Sequence, residues 1–592
     1  MSVTDRSFGA RLISADRTRF RLWAPNASEV SVEVEGKGPF TLQPKAQGWF
    51  EAEIGCGAGA HYRYRIDNDS AVPDPAADAQ ADDVHGASVV FDHAAYHWKH
   101  RDWKGRPWHE AVIYELHVGA LGGFAGVTAQ LQNLADLGVT AIELMPIAAF
   151  SGPHNWGYDG VLPYAPDSTY GTPDDLKLLV DTAHGLGLMV FLDVVYNHFG
   201  PDGNYLSVYA ADFYRHDRKT PWGDAIDFRR NEVRLFFIEN AIHWIRDYRF
   251  DGLRFDAVHA IGDDDFLMLL QAEIRRAAGV GRHVHLVLEN EVNDAAVLRD
   301  GPDAPGYDGQ WADDFHHCVH VLLTGQRDAY YEDFAEAPQK LLARCLAEGF
   351  AYQGETSPHR GGPRGTPSAH LPTTSFVICL QNHDQIGNRA FGERLADLSH
   401  PRAMRAATAL LLMTPQIPLL FMGQEWAAST PFLYFSGYTD ELAEAVAQGR
   451  RDEFAKFEDF ADPDKRESIP DPNDAGTFKS SIIDPTEMSK ADHAAWLALH
   501  RKLLALRAVE ITPRIPGTKA IEGTPLGDTG VRVQWRLGDG ATLAVAANLG
   551  TEPVPCSPIQ GRLIFRTEQR TDPDALPGCG VEISIKEPGH AG

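Results

Sequence analysis

A chain of 592 residues, 44% apolar and 23% charged, is too long for one hydrophobic core and predicts two to four domains. Its 82 acidic against 54 basic residues give a formal net charge of −28, which speaks against nucleic acid or anionic membrane partners and favours a neutral or cationic substrate. The opening stretch MSVTDRSFGARL has no basic segment leading into an apolar run, and no stretch approaches about 18 apolar residues. The six cysteines (Cys56, Cys318, Cys345, Cys379, Cys556 and Cys579) are scattered without a Cys-x-x-Cys pair. The expectation is a cytoplasmic protein with isolated thiols and no zinc site.

Residues 1–95 read as a small all-β sandwich, because short alternating runs such as RTRFRLWAP (17–25), EVSVEVE (29–35) and HYRYRI (61–66) are separated by turn residues. Trp98, Trp103 and Trp108 mark the passage into a second region, 96–510, where apolar runs alternate with helical patterns. The runs are Ala111–Val118, Ala141–Ile147, Met189–Tyr196, Gly252–Val258, His283–Leu288, the weaker Gly309–Phe315, Ser375–Leu380 and Ile417–Met422. Thr172–Leu186 reads as a helix, with Thr as N-cap, Pro next and Asp174 and Asp175 in the first turn; Asn231–Tyr248 is another. Eight runs predict an α/β fold with a (β/α)8 TIM barrel, with an open doubly wound sheet as the alternative. Residues 511–592 return to short strands, including Gly530–Trp535 and Ala541–Ala547, and predict a C-terminal all-β domain.

A barrel demands that reactive groups gather at the C-terminal ends of its strands. The third run ends in Asp193, Asn197 and His198, the fourth carries Arg254, Asp256 and His259, the fifth ends in Glu289, and the seventh in His383, Asp384 and Gln385. Arg254 and Asp256 are two apart, so both face one side of a strand, and the arginine is expected to keep the carboxylate ionised, as a nucleophile requires. Glu289 follows Val284, Leu286, Val287 and Leu288, where desolvation is expected to raise its pKa and hold a proton. One charged and one protonated carboxyl is the division that glycoside cleavage needs. A single Arg-x-Asp is ordinarily a structural ion pair, and a single strand-end Glu is no more informative. Four polar strand ends in barrel order ask for one common cause. After the second run, Trp156 and Tyr158 bring aromatic faces of the kind that pack on sugar rings, although Trp156 reads equally as a core anchor.

The pieces DVVYNH (193–198), GLRFDAVH (252–259), LEN (288–290) and QNHDQ (381–385) resemble the conserved regions of the α-amylase superfamily, glycoside hydrolase family 13. The resemblance implies Asp256 as nucleophile, Glu289 as general acid/base and Asp384 as the carboxylate that grips sugar hydroxyls. Arg254, His198 and His383 would surround the reacting sugar, with Tyr158 stacked on it. Within the superfamily, NWGYDGVLPYAPDSTYGTPDDLK (155–177), DVVYNHFGPDGNYL (193–206), QWADDFHHCVHVLLTG (310–325) and GQEWAASTPFLYF (423–435) are similar to the maltooligosyltrehalose trehalohydrolases. That likeness implies retaining hydrolysis of the α-1,4 bond next to a trehalose unit, without metal or organic cofactor, and a maltooligosyltrehalose synthase as pathway partner.

Two stretches depart from the family pattern: HVGALGGFAGV (117–127) is short, and SGYTDE follows Phe435 where a TDH-like sequence is usual. Asp313 and Asp314 are expected near the acceptor side. Adjacent His316 and His317 diverge by about 100° on a helix, so packing or substrate contact is expected of them rather than metal binding. The alternatives are a glucan branching or debranching enzyme, told apart by α-1,6 branches gained or lost, and a non-catalytic glucan-binding protein, told apart by binding without hydrolysis.

Overall fold

The computed structural model describes residues 6–301, 304–455, 460 and 462–588. Eight parallel strands close into a barrel in chain order: β1 (Ile113–Leu116), β2 (Ala141–Leu144), β3 (Met189–Val194), β4 (Gly252–Phe255), β5 (His285–Leu288), β6 (Gly309–Trp311), β7 (Phe376–Cys379) and β8 (Ile417–Phe421). β8 pairs back onto β1, with Ile113 opposite Leu419, so the open-sheet alternative falls. Every strand residue in the barrel is buried, as strands covered on both faces must be. The weak sixth run yields only three strand residues. Its remainder turns into a helix at Asp313, because Asp313 and Asp314 favour the positive end of a helix dipole over a strand.

Six helices matter here: α1 (Gly123–Leu137), α2 (Pro173–Gly185), α3 (Asn231–Arg246), α4 (Asp313–Thr324), α5 (Pro401–Leu412) and α6 (Ala491–Leu506). α2 begins as its sequence dictates: the Thr172 hydroxyl accepts the Asp175 amide while the Asp175 carboxylate accepts the Thr172 amide.

The lower end of the barrel is plugged. Trp103 and Trp108 pack under a layer that includes Ile113, Met189, Val287 and Leu419. Their indoles donate to Asp251 Oδ1 at 2.9 Å and to the Thr374 carbonyl at 2.8 Å, both just ahead of strands. The opposite end, where the strands finish, is left for chemistry.

Ahead of the barrel lie two antiparallel sheets built from strands between Arg11 and Val89, and behind it a five-stranded sheet runs from Lys519 to Lys586. All six cysteines are buried and unpaired. Among the described residues no helix is long and apolar enough to cross a membrane.

Candidate active site

Arg254 organises the upper end of the barrel. It is fully buried, and its guanidinium lies over the Trp311 ring, 4.1 Å from the centroid. One nitrogen, Nη1, donates to Asp193 Oδ2 at 2.7 Å and to Asp256 Oδ1 at 2.9 Å; Nη2 is 3.0 Å from Glu289 Oε2. Strand register makes this possible, since Asp193 on β3 and Val287 on β5 both stand opposite Arg254 on β4. Asp256 and Glu289 follow their strands directly. Ala257, at φ 39°, takes the left-handed conformation that non-glycine residues seldom adopt. That turn aims its amide at Glu289 Oε2, 2.8 Å away.

Asp256 and Glu289, 33 positions apart in number, thus converge on one guanidinium. Two carboxylates held 2.9 Å and 3.0 Å from the two nitrogens of one guanidinium stand as a pair over the same pocket, the arrangement that glycoside cleavage by two carboxyl groups requires.

The protonation pattern reverses the expectation from sequence. Burial, with the charge of Glu289 next, pushes the Asp256 carboxyl well up. Burial also opposes ionisation of Glu289, but Arg254 and the Ala257 amide outweigh it and hold that carboxyl below its usual value. The reason is that Arg254 is shared: three carboxylates lean on one cation, so the Asp256–Glu289 pair retains a proton, and it rests on Asp256, since Glu289 also accepts the Ala257 amide.

Around this centre, Tyr158 donates to Asp193 Oδ2 at 2.7 Å and stacks on His383 with centroids 5.0 Å apart. His383 Nδ1 is 2.5 Å from Glu115 Oε1 and its Nε2 is 3.5 Å from Asp384 Oδ1. Burial works against an imidazolium there, yet Glu115 and Asp384 raise the pKa to about 9. His198 Nε2 donates to the Tyr158 carbonyl at 2.9 Å, and burial pulls its pKa to about 4. Its ring lies flat against Trp222, 4.5 Å away, a half-exposed side chain on the Tyr214–Ile226 hairpin.

Other sequence candidates stand at or beyond the edge. Asp313 is half-buried, and burial followed by the charges of Glu289 and Asp384 raises it to about 7. Asp314 is fully buried and faces inward, held by Arg364 at 2.8 Å and by the Ala351 amide at 2.8 Å. Trp156 is buried as an anchor, stacked on Phe432 and donating to the Leu433 carbonyl at 2.9 Å. His259 is 3.5 Å from Glu291, and Gln385 turns back to accept the Asn382 amide at 3.0 Å. His316 spans the Leu380 carbonyl and the Tyr331 hydroxyl, which is a packing role.

Sequence reasoning passed over Glu115, Glu143, Trp222 and Trp311. Glu115 and Glu143 are lone charges inside the apolar strands IYEL and AIEL, which is a legible signal. Glu143 is fully buried and neither oxygen has a hydrogen-bond partner among the described residues; burial, then the charge of Glu115, pushes its pKa far up, so it sits there as a neutral acid.

Residues 73–219 match the α-amylase catalytic domain, 7–81 carbohydrate-binding module 48 (the isoamylase N-terminal domain), and 520–582 a domain of unknown function, DUF3459. Over 599 residues, spanning 96% of both chains, the protein is 40% identical to a malto-oligosyltrehalose trehalohydrolase of Rhizobium sp.. The chain belongs to the malto-oligosyltrehalose trehalohydrolase family. Another member, from Deinococcus radiodurans, is 43% identical over 83% of this chain and 81% of its own. A Salmonella typhimurium structure described as an α-amylase candidate superposes with a TM-score of 0.93 at 42% identity, covering 98% of this chain and 100% of that one. A Paenibacillus barengoltzii pullulanase, at 22% identity and a TM-score of 0.70 over 99% of this chain and 95% of its own, shares the fold.

Proposed function

We propose that the protein releases trehalose from the end of a malto-oligosyl trehalose by retaining hydrolysis of the adjoining α-1,4-glucosidic bond. The observation that carries this reading is the convergence of Asp256 and Glu289 on the one guanidinium of Arg254. Asp256 is the nucleophile and Glu289 the acid/base. A glycosidic oxygen arriving beside Glu289, and an anomeric carbon gaining positive charge beside Asp256, both favour moving the shared proton onto Glu289. Asp256 then attacks the anomeric carbon as Glu289 protonates the departing trehalose oxygen. Glu289 next takes a proton from the water that frees the glucan, with net retention. Asp384, half-exposed above the pair and next to the His383 imidazolium, holds sugar hydroxyls, while Tyr158 and Trp222 offer ring faces.

The same reading places the enzyme in the cytoplasm, downstream of a maltooligosyltrehalose synthase that builds the trehalose terminus. The test is to incubate the protein with malto-oligosyl trehalose and with a plain malto-oligosaccharide of equal length. Trehalose plus the shortened glucan, in strong preference to any cleavage of the plain chain, supports the proposal. Equal cleavage of both, or a change in α-1,6 branching, sinks it.

A further inference from the structure

On the same end of the barrel, but clear of the carboxylates, a cavity of about 410 Å³ opens between α1, α6 and the loop that follows β1. The loop Gly119–Gly122 is two glycines, an alanine and a leucine, and nothing in it larger than Leu121 reaches into the gap. α1 contributes Leu134 and Leu137; α6 contributes Leu497 and, four residues on and hence on the same face, Arg501. Ile483 and Met488 close one side. A volume in the range of small-molecule sites, about 300–1,000 Å³, is therefore walled mainly by aliphatic carbon.

The two ends differ in charge. At the deep end Glu425, almost fully buried, accepts the Tyr114 hydroxyl at 2.9 Å, and burial lifts its carboxyl to about 7. At the solvent end Arg501 is exposed and makes no ion pair, hydrogen bond or ring contact among the described residues. On a chain of net charge −28, this guanidinium puts a local positive charge at the cavity mouth. Gln130 and Asn133 on α1 add polar groups to the lining, so the aliphatic stretch is the one formed by Leu134, Leu137, Ile483, Met488 and Leu497.

We propose that this cavity is a second ligand site, for a small amphiphile whose aliphatic tail lies between α1 and α6 and whose carboxylate head meets Arg501. The deep end, occupied by an acid, is closed to a second anion, so the tail enters first. The site does not rest on the hydrolytic reading and stands if that reading fails.

The test is calorimetric titration of the full chain with decanoate, decanol and decylammonium. Saturable one-to-one binding of decanoate is expected, with decylammonium about ten-fold weaker or more. Arg501→Gln should weaken decanoate by about ten-fold, to the level of decanol, and leave decanol unchanged. Leu497→Trp, at a half-buried position that tolerates a larger ring, should abolish binding of decanoate and decanol alike. Circular dichroism melting confirms that both variants fold. No saturable decanoate binding below about 1 mM, equal affinity for the anionic and cationic probes, or indifference to either substitution overturns the proposal.

Discussion

Arg254 must serve Asp193, Asp256 and Glu289 with a single positive charge, and the proton retained by the last two follows from that shortage. Asp256→Ala and Glu289→Gln should each lower kcat by about 10³-fold or more, with thermal melting little changed, because each removes a group used only in bond cleavage. Near-normal turnover in either variant would strip that residue of its role. His383 supplies the second buried cation, and its linkage has a definite sign. Its folded-state pKa of about 9 exceeds the ordinary value of 6.5. The Glu115–His383 pair therefore stabilises the fold in full below about pH 6.5, and the contribution, about 3 kcal/mol, fades as pH rises through about 9. Urea unfolding between pH 6 and 10 should show that loss in the parent protein and not in His383→Gln. Parallel stability curves for the two would refute the assignment.

At the level of elements, the strands were readable because parallel barrel strands are apolar on both faces, and β1 to β8 all lie within runs visible in the sequence. The site was readable where a polar residue stands at a strand end, as with Asp256, Glu289 and Asp384. Pattern reading failed in two physical situations. Glu115 and Glu143 were absorbed into apolar runs, since periodicity reports burial and not what a buried acid touches. Trp222 comes from a hairpin remote in sequence, and only folding lays it on His198. Arg507 is a third case, a cation in no motif. It is fully buried, has no carboxylate partner among the described residues, and donates to the carbonyls of Leu412 at 3.0 Å, Thr414 at 2.5 Å and Gln416 at 2.6 Å. It thereby ties the C-terminus of α5 to the start of β8, where the helix leaves carbonyls unsatisfied. Burial drags its pKa to about 9. Arg507→Met fills the space but orphans those carbonyls, and should cost about 3 kcal/mol in urea denaturation. The folded variant should retain kcat, since this junction lies at the opposite end of the barrel from the carboxylates. A stability change within about 0.5 kcal/mol would show that the carbonyls find other partners.

Across the whole molecule, the N-terminal β region is joined to the barrel by charge as well as by apolar contact. Phe8 packs edge-on against Phe236 of α3, and Glu239 of the same helix accepts the Ser7 amide at 2.9 Å. Beside them Arg6 holds Asp78 at 2.5 Å and lies 4.7 Å from the Tyr164 ring centroid, with His93 and His243 close by. The guanidinium touches two members of the Asp78–His93–His243 cluster, Asp78 and, at 3.4 Å, His243, so positive charge reaches this cluster from the chain itself. Burial opposes ionisation of Asp78, but Arg6 and His93 overcome it and hold the carboxyl well below its usual range. A depressed carboxyl pKa stabilises the fold above the unfolded value of about 4, and the benefit is lost as pH falls through that value toward the folded one. Asp78→Asn should therefore destabilise the protein by about 3 kcal/mol at pH 7, because Arg6 is left buried without its counter-charge. It should also flatten the decline in stability between pH 5 and the acid limit of folding. Limited proteolysis locates the effect: opening at this seam exposes the 6–90 region to cleavage before the barrel. If Asp78→Asn matched the parent in both acid slope and cleavage order, the seam would be held by Phe8 and its apolar neighbours alone.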